Sequence, residues 1–516
     1  MAEPKMYVRL GWRAAAVLAL AALLLTGALP IPSGAAPESD VRIVPVPLAE
    51  LLPASAHASL SPRSAGLRLA AGELRAAVAT ETAATAVCSP IEVTGLGVTW
   101  EQPGRGDVHA EVRTEREGGW SRPVHLGSED DADPGSPDAN SRRGSSFLWT
   151  GGGRCIRLAL ELDRGVRVSD VAVVFVDSSG EVPSAGGFAG TAQAFAKRPR
   201  VVTRQAWGAD PKLLNCTPSV ADRVLMGFVH HTAGTNAYSP AEADDVIRGV
   251  YAFHTNGRGW CDIGYNFLVD RFGTVYEGRS GGMTEPVIGA AQMGFNTRAF
   301  SVSVMGNFET AAVPTAVQRA LVRLLAWRLD LAHVNPSARA TMVSAGGSNT
   351  RYEAGQVVRL PTIAGHRDTG LTACPGDRLY KLLPSIREKV AKRGLPKIWK
   401  PRLTEEGLVA GTPTKLRILA RGSTDLRWSV TLLGPDGAAI ADLGTRNGTR
   451  LALRWPKTGP PPQPTVPGTY TVQITGDARG GATARPASLP LVVAPPTPSP
   501  TPSPTTSPPP SPSPSP

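Results

Sequence analysis

The chain has 516 residues, more than one domain usually holds, so its length predicts several globular units and excludes a single small domain. Its formal net charge of +11 suits a polyanionic partner such as nucleic acid, an acidic cell wall or a membrane surface. The basic residues are scattered and form no arm with interleaved aromatic residues, so the charge indicates a solvated basic surface and no nucleic-acid partner.

Residues 1–36 have the pattern of a secretory signal peptide. Basic residues precede an apolar run at residues 14–25, and residues 33–36 are small, as a cleavage site requires. A membrane anchor is the alternative, but the apolar run is short for a membrane span and Pro30 follows it closely. We therefore expect export, with anchorage in the membrane if the signal is not cleaved.

Residues 37–86 are rich in Ala, Ser and Pro, and we expect a disordered leader there. Apolar and polar residues alternate within residues 87–182, which predicts a β-rich accessory domain. The acidic stretch at residues 128–146 is predicted to be a loop of this domain. Residues 183–200, rich in Gly and Ala, have the composition of a linker.

Residues 201–393 alternate short apolar strands with helical stretches, which predicts an α/β domain. Helices are expected at residues 239–254, 314–333 and 377–392. The fold class that we predict is an α/β domain with a mixed β-sheet and flanking helices, between an N-terminal β domain and a C-terminal β-sandwich.

The sequence pattern of the C-terminal part again predicts strands. Residues 403–493 contain strand patterns separated by Pro-Asp-Gly and Pro-Gly turns, which favours a β-sandwich. This part resembles an immunoglobulin-like accessory repeat of exported bacterial proteins, which fits targeting or spacing. Residues 495–516 are only Pro, Ser and Thr, so they cannot bury a core and predict an extended tail.

Four linked motifs lie in the middle domain, at residues 228–232, 259–267, 365–368 and 372–376. Their sequences are FVHHT, GWCDIGYNF, GHRD and TACPG. In order and spacing they resemble the type 2 N-acetylmuramoyl-L-alanine amidases and the related peptidoglycan recognition proteins. The resemblance covers residues 203–392.

The resemblance implies a Zn²⁺ site with His230, His366 and Cys374 as ligands. Two imidazoles and one thiolate leave one tetrahedral position open for water, as a catalytic zinc requires. A His-His pair alone is weak evidence, because either ring can merely satisfy a surface hydrogen bond.

Tyr265 is the catalytic residue by the same resemblance, donating to the developing oxyanion or handling the proton of water. Without the motif it would be interpreted as a packed strand tyrosine.

Five polar residues near the motifs are predicted to bind the stem peptide: His231, Thr232, Asn236, Asn307 and Thr372. By residue type alone, the first four fit a local capping or turn position better. Thr372 lies where some relatives carry a lysine, so a lysine-assisted mechanism is not expected here.

The chain has five cysteines, and in an oxidising exterior an odd count leaves one thiol to be explained. The frequent disulfide near the active site of the family implies a pair between Cys216 and Cys261, and Cys88 could pair with Cys155. Cys374 then remains, and zinc would protect it as a thiolate. The alternative for Cys374 is a buried structural thiol.

The resemblance as a whole implies a monomeric zinc amidase that hydrolyses the amide bond between N-acetylmuramic acid and L-alanine. Its expected partner is peptidoglycan, through the glycan strand and the stem peptide, and its expected location is secreted and cell-wall associated. One alternative is a non-catalytic peptidoglycan-binding protein, but such relatives usually lack a metal ligand, whereas all three are present here. Another is a wall-attached adhesin dominated by its flanking β domains.

Overall fold

A computed structural model describes residues 41–47, 69–70 and 86–495, apart from 105, 117, 130, 140, 164–165, 181–195, 406, 411–414 and 456–465. The predicted signal peptide, most of the predicted leader and linker, and the tail after residue 495 lie outside the described residues. Within the described ranges, no helix is long and apolar enough to cross a membrane.

The N-terminal β domain consists of two antiparallel sheets around one apolar core. One sheet contains β1 (Arg42–Pro47), β2 (Leu69–Ala70), β4 (Gly95–Glu101), β8 (Arg143–Gly144), β9 (Leu148–Trp149) and β11 (Arg167–Asp177). The other contains β3 (Val87–Cys88), β5 (Val108–Arg116), β6 (Gly119–Trp120), β7 (Val124–Leu126) and β10 (Cys155–Leu162). Alternation in β5 buries Val108, Ala110 and Val112 on the core face, as the sequence predicts. A disulfide between Cys88 and Cys155 joins β3 to β10, where the two residues face each other.

β1 lies within the segment that the sequence predicts to be a disordered leader, so that prediction is wrong for these residues. β1 pairs with β11, and Val44 and Val46 pack against the core. Pro45 and Pro47 obscure the strand in the sequence, but an edge strand tolerates proline because one side of it needs no ladder hydrogen bonds.

The middle domain is α/β and is built on a six-stranded mixed sheet in the order β12-β15-β14-β16-β13-β19. Its strands are β12 (Val201–Val202), β13 (Met226–His231), β14 (Phe267–Val269), β15 (Val275–Glu277), β16 (Ala299–Val304) and β19 (Ile363–Gly365). β14, β16, β13 and β19 run parallel, and β15 is antiparallel to β14. β13 and β16 are buried along their whole length, as strands covered on both faces must be. A separate two-stranded sheet pairs β17 (Arg339–Val343) with β18 (Val357–Pro361).

Four α-helices accompany this sheet: α1 (Ala243–Ala252), α2 (Thr315–Leu331), α3 (Asp377–Tyr380) and α4 (Leu383–Ala391). α1 begins later than predicted and continues into a π-helical turn at Phe253–Gly257. The single helix predicted at residues 377–392 is wrong, because the chain forms α3 and α4 there. Pro384 lies in the first turn of α4 and has no N–H to bond to the carbonyl of Tyr380, which separates the two helices.

The C-terminal domain is a sheet of β20 (Ile398–Leu403), β21 (Gly407–Val409), β22 (Leu416–Leu433), β23 (Ala439–Trp455), β24 (Gly468–Ala478) and β25 (Ala487–Ala494). The pairing of β22 shifts between Arg421 and Leu426, so its first half pairs with β20 and its second with β24. The strands share one core that contains Trp428 and Trp455. The immunoglobulin-like character of this domain stays a prediction.

An apolar cluster joins the N-terminal β domain to the middle domain. Phe147 and Val174 of the β domain lie in the same cluster as Tyr251 and Phe253, and the rings of Phe147 and Phe253 are 6.1 Å apart. The two domains are therefore packed together through a common core, which places loops of one beside the sheet edge of the other.

Candidate metal centre and active site

The centre of the site lies where two neighbouring parallel strands end. His230 and His231 are the last residues of β13, and His366 follows directly after β19, which pairs with β13. Because the carboxyl ends of parallel strands meet at one edge of a sheet, side chains distant in sequence converge there. The rings of His230 and His366 lie 4.7 Å apart.

Cys374 completes this cluster from the loop before α3. Its Sγ accepts the backbone N–H of His231 at 3.3 Å and lies 3.8 Å from Nδ1 of His230. One potential ligand atom each from His230, His366 and Cys374 all lie within 4.8 Å of one another. The structure thus brings together all three predicted metal ligands.

These residues fit a metal ion on the chemistry of their donors. Nε2 of His230 is buried and has no hydrogen-bond partner among the described residues, and Cys374 is the only cysteine outside a disulfide. Burial lowers the pKa of His230 well below its ordinary value, which keeps that imidazole neutral and able to bind a cation. Two imidazoles and a sulfur are a donor set that suits zinc and leaves one tetrahedral position.

The surroundings of His366 and Cys374 both favour the protonated forms of these side chains. Burial opposes protonation of His366, but the neighbouring Asp131 carboxylate and Cys374 together outweigh it and raise the pKa of His366 to about 10. Burial raises the pKa of the Cys374 thiol, against the effect of His366. A cation bound among these groups would replace the proton of His366 as the compensating positive charge and would favour the thiolate.

Tyr265 lies beside the cluster, with its ring 5.6 Å from the ring of His230. It belongs to the loop immediately before β14, not to the strand itself. Its hydroxyl donates a hydrogen bond to Oε1 of Glu129 at 3.2 Å. Burial raises the pKa of Tyr265 well above its ordinary value, so its hydroxyl stays protonated and able to donate.

Two acidic residues at the site were missed by sequence reasoning. Oδ1 of Asp131 lies 3.2 Å from Nε2 of His366, and Glu129 approaches both Tyr265 and Nε2 of His254, the latter at 3.4 Å. Both belong to the stretch at residues 128–146 that the sequence predicts to be a loop of the β domain. The only signal in the sequence was the density of acidic residues there, which has no metal-ligand spacing.

The five predicted substrate-binding residues lie around the cluster, and each of them makes a hydrogen bond within the protein. Nδ1 of His231 accepts the N–H of Phe308 at 3.2 Å, and Oγ1 of Thr232 accepts the N–H of Gly306 at 2.9 Å. Asn236 and Asn307 exchange two hydrogen bonds between their loops, at 2.7 and 3.0 Å. Oγ1 of Thr372 accepts the N–H of Cys374 at 3.1 Å. Their contacts with substrate stay a prediction.

The predicted disulfide between Cys216 and Cys261 is present. Cys261 follows Trp260 directly, and its backbone N–H donates to Oδ1 of Asp138 at 2.7 Å. This disulfide therefore ties down the loop that leads to Tyr265.

Comparison with known proteins relates the same region to proteins named as amidases and as peptidoglycan recognition proteins. A family model described as N-acetylmuramoyl-L-alanine amidase matches residues 221–377. Peptidoglycan recognition protein 1 of Bos indicus is 32% identical over 183 residues, which are 36% of this chain and 82% of that protein. A Homo sapiens protein named N-acetylmuramoyl-L-alanine amidase is 33% identical over 205 residues, 37% of this chain and 29% of that protein. The solved structure of wild-type Drosophila PGRP-LB is 25% identical, covers 36% of this chain and 93% of its own, and has a TM-score of 0.29.

Proposed function

Because the chain belongs to the family of N-acetylmuramoyl-L-alanine amidases and peptidoglycan recognition proteins, we propose that it is a zinc-dependent amidase. It hydrolyses the amide bond between N-acetylmuramic acid and L-alanine in peptidoglycan. The observation that carries this proposal is the convergence of His230, His366 and Cys374 within 4.8 Å, with Tyr265 beside them.

Each residue has a distinct task in this proposal. His230, His366 and Cys374 hold zinc, which when bound supplies Lewis acidity toward the amide carbonyl and water. The N–H of His231 donates to Sγ of Cys374 and stabilises the thiolate form that binds metal. Tyr265 donates its phenolic proton toward the oxygen on which negative charge develops, a contribution of about 10²- to 10³-fold in rate for comparable donors.

The substrate class and location follow from the same proposal. Peptidoglycan lies outside the cell membrane, and the signal-like pattern at residues 1–36 fits export of the chain to it. We propose that the protein acts as a secreted monomer at the cell wall, and that the flanking β domains position it there.

Identification of the cleaved bond tests the proposal. Purified peptidoglycan is digested with the zinc-loaded full chain, and the products are analysed by mass spectrometry. We expect muramic acid with a free lactyl carboxylate and stem peptides with a free L-alanine amino group. Binding of peptidoglycan without new amino groups would favour the non-catalytic alternative, and new ends at another bond would assign a different hydrolase.

A further inference from the structure

The three candidate metal ligands and Tyr265 are buried in this structure. His230 is 1% exposed, Tyr265 and His366 are each 4% exposed, and Cys374 is 8% exposed. A polymeric substrate must bring its amide carbonyl to these groups, which are covered in this arrangement. The covering element is the part of the β-domain loop formed by Glu129 and residues 131–138, which we call the acidic segment.

The acidic segment places carboxylates on the two groups that carry the proposed reaction. Oε1 of Glu129 accepts a hydrogen bond from the hydroxyl of Tyr265 at 3.2 Å. Oδ1 of Asp131 lies 3.2 Å from Nε2 of His366. Asp131 also accepts a hydrogen bond from Nδ2 of Asn349 at 3.2 Å. The hydroxyl of Tyr265 is thereby engaged in a hydrogen bond within the chain.

Two further carboxylates anchor the acidic segment away from the metal ligands. Asp133 accepts the N–H of Gly294 at 2.6 Å and Nδ2 of Asn296 at 2.9 Å. Asp138 forms a buried ion pair with Arg279 at 2.6 Å and accepts the N–H of Cys261 at 2.7 Å. All of these donors belong to loops of the middle domain. The segment is held by these polar contacts, which water or another acidic ligand can replace, and by one small apolar cluster of Ala132 with Trp260 and Ala290.

The chemistry of these contacts is that of peptide recognition. Charged and N–H donors on several loops bind a run of carboxylates and backbone groups, and Asn296 also donates to the carbonyl of Asp131 at 2.8 Å. A stem peptide carries carboxylates and backbone carbonyls of the same kind. The acidic segment therefore occupies donors beside the cluster that are of the kind that such a peptide would bind.

We propose that the acidic segment is an intramolecular cap, and that an acidic peptide of peptidoglycan must displace it before reaction. This inference rests on the proposed function for the identity of the displacing ligand. The cap is part of a β domain with its own core, so it withdraws by local rearrangement of a loop and needs no unfolding of the catalytic sheet.

Access to Cys374 tests the cap without depending on catalysis. The other four cysteines form disulfides, so iodoacetamide reports on Cys374 alone in the metal-free full chain, read by mass spectrometry. The variants are Asp133→Asn and Asp138→Asn, which remove anchors on different loops. Asp163→Asn is the matched control, because this carboxylate is exposed and, among the described residues, its bond is to the N–H of Asp107 within the β domain. Melting curves establish that each variant is folded.

We expect alkylation of Cys374 to be about tenfold faster in each anchor variant than in the wild type or the control, because each loses a hydrogen-bonded buried charge. The zinc-loaded anchor variants should also cleave a soluble muropeptide faster. Unchanged alkylation overturns the cap, and so does faster alkylation with slower cleavage, since the segment would then assist the reaction. If no form of the chain cleaves while alkylation still accelerates, the proposed function fails and the cap stands.

Discussion

Sγ of Cys374 receives the N–H of His231 and lies next to His230, so its replacement tests the metal site at the scale of one atom. We predict that Cys374→Ser loses zinc, because a serine hydroxyl stays protonated near neutral pH and is a poor zinc ligand. The zinc content, measured by metal analysis, should fall from about one zinc per chain to a small fraction. Full zinc content and activity in the variant would show that the ligand assignment is wrong.

Tyr265 allows a separate test, because only its hydroxyl is assigned a chemical role. Tyr265→Phe keeps the packed ring, so we predict unchanged zinc content and turnover lower by about 10²- to 10³-fold. Tyr238→Phe is the matched control: its hydroxyl donates to the carbonyl of Met305 and accepts the N–H of Arg271, and it should cost about 1 kcal/mol of stability without loss of turnover. Similar rates for Tyr265→Phe and the wild type would make Tyr265 structural.

Sequence reasoning predicted the residues of the cluster that belong to linked motifs, and it missed the neighbouring acidic residues that do not. His230, His366 and Cys374 could be predicted because their order and spacing resemble a known pattern. Glu129 lies 136 positions from Tyr265, on a different domain, so no local pattern connects the two. Long-range packing of the β domain against α1 and the loops of the middle domain brings them together.

At the scale of elements, the turn between Cys374 and α3 depends on a glycine. Gly376 has a φ of 85°, and an added Cβ would lie 2.4 Å from the backbone of Phe308. Gly437 has a similar φ of 81° with no atom within 4 Å of such a Cβ. We predict that Gly437→Ala costs only the backbone strain of about 1–2 kcal/mol. Gly376→Ala should cost about 2 kcal/mol more, from overpacking and because its ψ of 148° lies outside the left-handed helical region, and should lower zinc occupancy by displacing Cys374.

Chemical denaturation of the two glycine variants, together with metal analysis, checks this prediction. Equal losses of stability with full zinc in both variants would mean that the turn adjusts around the new methyl group, and that Gly376 does not position the ligand.

His333, which lies between α2 and β20, should make the stability of the fold depend on pH. Burial lowers the pKa of His333 below its ordinary value of 6.5, and Nδ1 of His333 bonds to the carbonyl of Ile398 at 3.1 Å. The unfolded chain therefore binds this proton first, so the stabilisation is complete above pH 6.5 and is lost as pH falls toward the lower folded value. His254, whose pKa is also lowered by burial, acts in the same direction.

His333→Asn should remove part of this dependence. Asparagine tolerates the left-handed backbone of this residue, where φ is 53°, and cannot become charged. Unfolding midpoints in denaturant at pH 7.5 and 5.5 measure the effect, and we expect a smaller difference between the two pH values in the variant. An identical difference in both chains would remove His333 as a source of the acid sensitivity.

At the scale of the whole molecule, the α/β class of the middle domain could be predicted from sequence, but the contacts between domains could not. Alternation in β5 and the strand-helix alternation after residue 200 depend on local periodicity, which sequence records. The shared core of Phe147 with Phe253 and the docking of the acidic segment depend on long-range packing. β1 was missed for a local reason, because its prolines have no place in a central strand.

The central claim is that one zinc ion held by His230, His366 and Cys374 is required for cleavage of the lactyl amide. The most direct test removes metal from the full chain with a chelator, restores zinc in steps, and follows the release of L-alanine amino groups from peptidoglycan. We predict that release stops with the loss of zinc and returns in full at about one zinc per chain. Release at an unchanged rate from a chain that contains no zinc would contradict the account.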